Sequence, residues 1–440
     1  MILDLLKRHN SRGCYDAVSK EWQTFFEAKN FGHLKISQHD VEQFVKVVKP
    51  RRRKQLIKSI WLNVELKSYN CRLCGWAESN SWQGENKTII ENAAMDLFGS
   101  LKSWRRSGGR DLALELIAYS LSDREHWQQH CFVGSPGEDG PIGEIHDPKH
   151  GFEHGRQVKP SDAEAIDRFL GNNYMFPPKA VSRLFGSFPR LGTLVWEPWR
   201  KWDTGCFQRE FWDKRYDKCI NQILPTSLER VSVFEDLNEG YAHRLLLMWG
   251  PMANSMRIAS PFLGSAFSSR SIQQEELSVS FMVDAEHFFQ ACQPEWRCKQ
   301  LRSLALTSRS MTPLREEEVT NLLLKASNAA MLMPKLQTMI LWNGAKGEAC
   351  AFTYNRADSS VTWRGTWEMK PGQKVANAWR KMDHENCRQP FRVKSEVISN
   401  KILSHGDAVH HLGLPASVID PVSLWQIRNE HLLNYREPGE

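Results

Sequence analysis

The sequence lacks the features that mark membrane, secreted and disulfide-stapled proteins. No apolar run approaches the roughly 18 residues of a membrane span, and the longest, LLLMWG, stops at Pro251. The N-terminal MILDLLKRHN has no basic region before its apolar part and no small-residue cleavage site, so we expect no signal peptide. The 10 cysteines are scattered over 440 residues, which is typical of reduced thiols and predicts a cytoplasmic or nuclear protein.

The sequence also lacks the common enzyme signatures. It contains no G-x-S-x-G elbow, no G-x-x-x-x-G-K-[ST] phosphate loop and no G-x-G-x-x-G fingerprint. His126 and His130 have the spacing of a zinc-protease pair, but a tryptophan stands where the general base must follow, so we interpret them as packing residues. Ser404, His405 and Asp407 are adjacent in sequence, which is no evidence for a triad because triads are defined by geometry. We therefore predict a non-catalytic protein without a cofactor.

The candidate metal ligands are incomplete. Cys71 and Cys74 form a single C-x-x-C, whereas a zinc site needs further ligands at suitable spacing. The remaining candidates are distant or have no helix to align them: Cys292, Cys298, His287, His146, His150 and His154. The sequence interpretation is that no metal is bound.

An apolar triplet with the spacing Leu-x-x-Leu-x-Leu recurs along the chain. The clearest copies occupy residues 191–196, 228–233, 301–306 and 336–341, and the looser ones occupy residues 31–36, 57–62 and 112–116. The last two apolar positions alternate as in a strand, and the first anchors the turn before it. An amphipathic stretch follows each copy. The pattern predicts an α/β fold, an irregular leucine-rich-repeat solenoid; an ordinary mixed α/β domain is the alternative.

The organisation along the chain follows from these repeats. We predict a short helical N-terminal cap at residues 1–30, the solenoid at 31–345 and an α+β C-terminal cap at 346–440. Residues 132–164 are rich in glycine, proline, histidine and charge, and predict a loop inserted between repeats. Within the C-terminal cap we expect a hairpin joined at residues 357–358 and helices at 373–382 and from 421 onward.

Residues that point outward from the predicted strands are the candidates for binding a target protein. We place Arg302, Gln337 and Trp342 in this group, on adjacent strands of one sheet. The net charge of +7 is too diffuse to predict nucleic-acid binding. The one dense basic cluster, KPRRRK at residues 49–54, is compatible with a nuclear-import signal or a phosphate-contacting patch, and we favour a solvated turn before a strand.

The string AVSKEWQTFF, with Val18, Ser19 and Trp22, resembles the second half of an F-box, in which a Val-Ser-x-x-Trp signature precedes the first repeat. Together with FGHLKIS, RRRKQLIKSIWLNVEL and the block from MPKLQTMILWNG to PVSLWQIRNEH, the chain resembles a group of filamentous-fungal F-box-like proteins. Their C-terminal region is a domain of unknown function. The resemblance covers nearly the whole chain, and it makes residues 1–30 a partial F-box-like segment.

The resemblance implies a substrate receptor of a cullin-RING, SCF-type ubiquitin ligase, in which the box binds the adaptor and the repeats bind a target protein. Ile2, Leu5, Val18 and Trp22 match box positions. An F-box normally opens with a Leu-Pro dipeptide and a further turn, whereas this sequence starts at MILDLL, so we expect weak adaptor binding or none. The alternatives are a non-catalytic repeat scaffold and an enzyme with an unrecognised pocket. We expect no membrane and no nucleic-acid partner.

Overall fold

The computed structural model describes residues 19–102, 104, 112–129, 146–154, 156–159, 162–170, 178–198, 206–236, 259–383 and 390–430. They form a mixed α/β structure, which confirms the predicted class. The chain divides into two compact units, the smaller ending at Gln129 and the larger beginning at His130. No helix in these ranges is long and apolar enough to cross a membrane.

The smaller unit is built on a parallel three-stranded sheet of order β1-β2-β3. Leu34 lies opposite Ile60, which lies opposite Leu114, so equivalent positions of three triplets stand side by side. The elements are α1 (Lys20–Asn30), β1 (His33–Ser37), α2 (Val41–Val47), α3 (Arg51–Leu56), β2 (Ser59–Glu65), α4 (Asn80–Leu101), β3 (Ala113–Tyr119) and α5 (Leu121–Glu125).

The basic cluster at residues 49–54 lies mostly in the helix α3 rather than in the predicted turn, whereas its first four residues are exposed, as expected of a solvated segment before a strand. Arg52 and Arg53 of α3 both bind Glu27 of α1, a carboxylate that is almost fully buried, with Arg53 Nη2 2.9 Å from Oε1. Burial acts to raise the pKa of Glu27, but the hydrogen bonds from the two guanidinium groups outweigh it and lower that pKa. The Arg53 guanidinium also lies 5.1 Å from the ring centroid of Phe31.

The larger unit contains an eight-stranded sheet in which β6 to β13 are neighbours in chain order. Strands β6 to β10 are parallel, β11 is antiparallel to β10 and β12, and β13 is parallel to β12. These strands are β6 (Thr193–Trp196), β7 (Arg230–Phe234), β8 (Glu276–Asp284), β9 (Ser303–Thr307), β10 (Thr338–Ala345), β11 (Glu348–Asn355), β12 (Ser360–Gly365) and β13 (Arg392–Val397).

The helices of the larger unit separate most of these strands. They are α6 (Ala163–Leu170), α7 (Pro178–Gly186), α8 (Cys206–Gln222), α9 (Pro261–Arg270), α10 (Ala285–Ala291), α11 (Glu316–Ala330), α12 (Gln373–Asp383), α13 (His405–Leu412) and α14 (Pro421–Glu430). The helices expected at 373–382 and from 421 onward are thereby confirmed.

The register of the large sheet confirms that predicted triplet strands are parallel neighbours. Leu304 of β9 lies opposite Met339 of β10, so residues 301–306 and 336–341 contain neighbouring parallel strands. Leu194 lies opposite Val231 in the same way. The expected hairpin is β11 and β12, but it extends the same sheet, so the predicted boundary at residue 345 falls inside one structure rather than between two.

Part of the predicted inserted loop at 132–164 is folded. A 3-10 turn at Pro148–His150 leads into the short antiparallel strands β4 (Phe152–Glu153) and β5 (Arg156–Gln157). The Phe152 side chain is fully buried, and Gly151 reaches a φ of 77°, which a side chain would disfavour. The predicted loop therefore contains regular structure within residues 146–154 and 156–159.

Candidate functional site

The two faces of the large sheet differ in what covers them. On one face the alternating side chains of the strands, among them Leu304, Leu306 and Leu341, pack against the helices between the strands. On the other face Ala305 and Trp342 belong to a second, smaller core. That core is closed by residues 398–427, which include α13 and α14.

Beside the second core, the same face of the sheet carries a groove that Ala416 and Ser417 help to line. It lies over the first residues of β6, β7, β8 and β9 and has a volume of about 90 Å³. Its lining is rich in hydroxyl groups and comprises Thr193, Leu194, Val195, Arg230, Val231, Ser232, Glu276, Leu277, Ser278, Ser303, Ala416 and Ser417.

The polar groups of the groove are suited to hydrogen-bonding an extended chain. Arg230 Nε lies 3.3 Å from Glu276 Oε1, which places a partly exposed ion pair at the start of β7 and β8. The Ser232 hydroxyl donates to the Val418 carbonyl at 3.5 Å, whereas the buried Ser278 hydroxyl has no hydrogen-bond partner among the described residues. On the edge strand β6, Val195 is 56% exposed. The groove thus combines hydroxyls, one ion pair and an exposed apolar side chain.

The predicted target-binding residues divide into two groups. Arg302 and Gln337 are exposed, directly before β9 and β10, and the Gln337 amide donates to the Arg302 carbonyl at 2.7 Å. Trp342 is fully buried, with its ring 5.1 Å from that of Phe281 and 6.4 Å from that of Phe234. Its predicted place on an exposed face is wrong, because the C-terminal residues cover this part of the sheet.

Of the predicted adaptor-binding residues, Ile2, Leu5 and Val18 lie outside the described residues. Trp22 lies in the first turn of α1, half-buried, with its ring 6.0 Å from that of Phe26. Ser19 caps this helix, since its side chain accepts a hydrogen bond from the Trp22 amide at 3.2 Å. The role of these residues in adaptor binding stays a prediction.

Acidic side chains follow the carboxyl ends of β6 and β7. Glu197 comes directly after β6, and Asp236 lies just beyond β7, where its Oδ1 is 2.8 Å from His405 Nε2. The Asp420 amide donates to Glu197 Oε1 at 3.0 Å, and the Ser423 hydroxyl donates to Oε2. These contacts attach the N-terminal ends of α13 and α14 to the strand ends.

Burial is the main reason why the pKa of Glu197 rises to about 7. The negative charges of Asp420 and Asp236 raise it further, and the hydrogen bonds from Ser423 and the Asp420 amide oppose the rise. The Ser404 side chain caps α13 by accepting from the Asp407 amide at 3.1 Å. We assign this cluster a structural role, because its groups bind one another and the helix ends.

In the smaller unit the structure brings together three side chains that are distant in sequence. The sulfur atoms of Cys71 and Cys74 are 3.9 Å apart, and both lie within 4.8 Å of a ring nitrogen of His126. Cys74 and His126 are buried, and Cys71 is half-buried. Sequence reasoning missed the group because His126 was read only against His130. The available signal was that the C-x-x-C follows β2 and His126 follows β3, two strands predicted to be neighbours.

Residues 223–420 match the sequence model of a family of unknown function, DUF6546. The matched segment begins before β7 and ends directly before α14, so it contains β7 to β13 and α13. It agrees with the expected C-terminal domain of unknown function but begins well before residue 346. No F-box or leucine-rich-repeat family is found. A comparison with curated proteins and one with solved structures each give no significant match.

Proposed function

We propose that this chain is a protein-binding receptor of an SCF-type ubiquitin ligase, in which the groove at the start of β6 to β9 holds an extended segment of a target protein. The observation that carries the proposal is the groove itself: neighbouring parallel strands present hydroxyls and an ion pair beside an exposed edge strand. Extended peptides are held by such surfaces because their backbone groups need hydrogen-bond partners at regular spacing.

The proposal also includes an irregular leucine-rich-repeat array as the source of the strands in both sheets. Equivalent triplet positions stand opposite one another in three successive strands of the smaller unit and in the pairs β6–β7 and β9–β10 of the larger one. This register is what an irregular leucine-rich-repeat array requires, since each repeat buries its apolar face only against its neighbours. The adaptor-binding part rests on the Val18 and Trp22 signature in the sequence.

The first experiment tests adaptor binding. The full chain is co-expressed with the ubiquitin-ligase adaptor and the cullin, and the complex is measured by size-exclusion chromatography. Trp22→Ala reduces the complex if the box is used, whereas Trp76→Ala, a tryptophan that is 67% exposed elsewhere in the unit, leaves it unchanged. Equal yields for both variants contradict a role for Trp22. A chain that binds targets without the adaptor is a scaffold, and the ligase part of the proposal fails.

The second experiment tests the groove with a matched pair of valines on the two edge strands of the sheet. Val195 of β6 lines the groove and is 56% exposed, and Val397 of β13 is 60% exposed and lies at the opposite edge. Val195→Glu places a charge against the target segment and lowers the recovery of bound proteins at least about tenfold, since a desolvated charge costs more than 1.4 kcal/mol. The Val397→Glu variant recovers the bound proteins as the unmodified chain does. Loss with both variants, or with neither, removes the groove from the proposal.

A further inference from the structure

We propose that Cys71, Cys74 and His126 bind a zinc ion in the smaller unit. This inference is independent of the receptor function, because the ligands and the target groove belong to different units. Zinc is favoured by the donor set: two thiolates and an imidazole are the ligands that this ion takes in structural sites.

The spacing of the two sulfur atoms agrees with a shared ion. Two thiolates bound to one zinc at about 2.3 Å lie about 3.8 Å apart at the tetrahedral angle. The observed separation of Cys71 Sγ and Cys74 Sγ is 3.9 Å. A disulfide requires about 2.05 Å, so the pair is not placed as a disulfide. The imidazole nitrogen of His126 lies within 4.8 Å of both sulfur atoms, and a small movement of the ring brings all three donors onto one centre.

The three ligands come together because the segments that carry them follow two neighbouring parallel strands. β2 and β3 are parallel neighbours, so their carboxyl ends meet at one edge of the small sheet. The C-x-x-C lies in the turn after β2, where the Leu73 amide donates to the Asn70 carbonyl at 2.9 Å. His126 directly follows α5, the short helix after β3. The segments after β2 and β3 therefore place the two cysteines and His126 at the same edge of the small sheet.

Hydrogen bonds around the ligands keep the two connections together. The Tyr69 hydroxyl donates to Asp123 Oδ1 at 2.7 Å, and the Tyr69 amide donates to Ser122 Oγ at 3.0 Å; both bonds are buried. The Tyr69 ring lies 5.4 Å from the His126 ring and packs against it. A bound zinc adds a covalent link between the same two segments, so it stabilises the smaller unit.

Metal content of the full chain tests the inference. The protein is loaded with zinc, dialysed against metal-free buffer and analysed by mass spectrometry of the metal; we expect about one zinc per chain. Cys74→Ser and His126→Ala reduce this content below about a tenth. Cys292→Ser is the matched control, since Cys292 is half-buried as Cys71 is but lies in the larger unit, and it retains the metal. A wild-type chain without zinc, or ligand variants that keep it, overturns the inference.

A second measurement on the wild-type chain avoids dependence on how the variants fold. With zinc bound, iodoacetamide labels Cys71 and Cys74 at least about tenfold more slowly than after removal of zinc by a chelator, because a metal-bound thiolate is a poor nucleophile. Labelling of Cys292 is unchanged by the chelator. Equal labelling rates for Cys71 and Cys74 in both states contradict zinc binding.

Cobalt substitution identifies the geometry and the donors. Replacement of zinc by Co²⁺ gives intense visible bands of a tetrahedral centre together with thiolate-to-cobalt charge transfer, and spectra without thiolate charge transfer contradict the assigned ligands. The fourth position is filled by water or by another side chain. Alanine variants of His146, His150 and His154, the histidines that the sequence marks as metal-ligand candidates, show whether one of them fills it by a change in the cobalt spectrum.

Discussion

The two faces of the large sheet show how one set of strands supports two kinds of surface. The helix-covered face is apolar from β6 to β12, because these strands place apolar side chains in the main core. The second face changes character across the sheet: it is apolar at β10 and β11, where Trp342 and Ala351 lie under residues 398–427, and rich in hydroxyls at β7 to β9. The first face is thus apolar from β6 to β12, whereas the second face is apolar only in part.

This difference has a physical consequence for function. A fully apolar second face with no cover would expose a patch that promotes association. Here the apolar half is covered by α13 and α14, and the other half carries the buried hydroxyls of Ser232 and Ser278 and the half-buried hydroxyl of Ser303. This half of the face is therefore polar where residues 398–427 do not form an apolar core over it. Substitutions on each face measure how far the two surfaces differ.

The largest effect is expected in the covered half of the second face. Trp342→Ala removes a fully buried indole that packs against Phe234 and Phe281, and it lowers the free energy of unfolding by about 3 to 5 kcal/mol through the cavity it leaves. Chemical denaturation of the full chain measures this. Trp76→Ala, at a tryptophan 67% exposed, serves as the control and changes stability little. An equally small change for Trp342→Ala contradicts the burial of this face.

The helix-covered face is tested by a pair of leucines. Leu304 of β9 is fully buried, and Leu304→Ala lowers the free energy of unfolding by about 2 to 5 kcal/mol. Leu314 is 96% exposed, so Leu314→Ala changes it by less than about 0.5 kcal/mol. The same denaturation measurement serves both variants. If the two leucines rank in the opposite order, the assignment of β9 to the core is wrong.

The attachment of α14 to the end of β6 predicts a pH dependence. The pKa of Glu197 is raised to about 7 in the folded chain, while in the unfolded chain it is near its usual 4.5. Below pH 4.5 the carboxyl is protonated in both states; between pH 4.5 and 7 only the folded chain keeps the proton, so stability falls as pH rises through this window. Glu197→Gln keeps the hydrogen bonds to the Asp420 amide and Ser423 and removes the titration.

The expected result is that Glu197→Gln is more stable than wild type at pH 8 by roughly 1 to 3 kcal/mol, whereas the two converge near pH 4. Thermal unfolding over this pH range measures the difference. Asp236 and Asp420 are the neighbouring charges that act on Glu197, and both remain in the variant. A constant difference between the two proteins across the pH range contradicts a raised pKa at this position.

Much of the sheet could be predicted from the sequence, because apolar and polar residues alternate along a strand that is buried on one face. The triplets ending at Leu306 and Leu341 place their last two apolar residues on the helix-covered face, and the hairpin follows from the same alternation. β8 was missed since its anchor position holds Gln274, a polar residue that is nevertheless buried, although Leu277 and Val279 alternate as expected.

The cover of the second face and the cysteine–histidine cluster could not be predicted, because both depend on contacts between residues far apart in the chain. Nothing local to β10 shows that residues after 398 cover it, so Trp342 was placed on an exposed face. The meeting of Cys71 and Cys74 with His126 likewise depends on the pairing of β2 with β3 rather than on spacing. Local patterns predict which side of an element is apolar, but they do not show which distant segment covers the other side.

The smallest expected effect concerns the hydroxyl-rich half of the second face. Ser278 is buried and its hydroxyl has no hydrogen-bond partner among the described residues, so Ser278→Ala removes an unpaired polar group and raises the free energy of unfolding by about 1 kcal/mol. Ser404 is buried to a similar degree but caps α13, so Ser404→Ala lowers it by about 1 kcal/mol. If the Ser278 hydroxyl serves binding rather than the fold, the changes in the free energy of unfolding of the two variants have opposite signs. A loss of stability with Ser278→Ala shows instead that this hydroxyl already serves the fold, and the contrast between the two halves of the face then disappears.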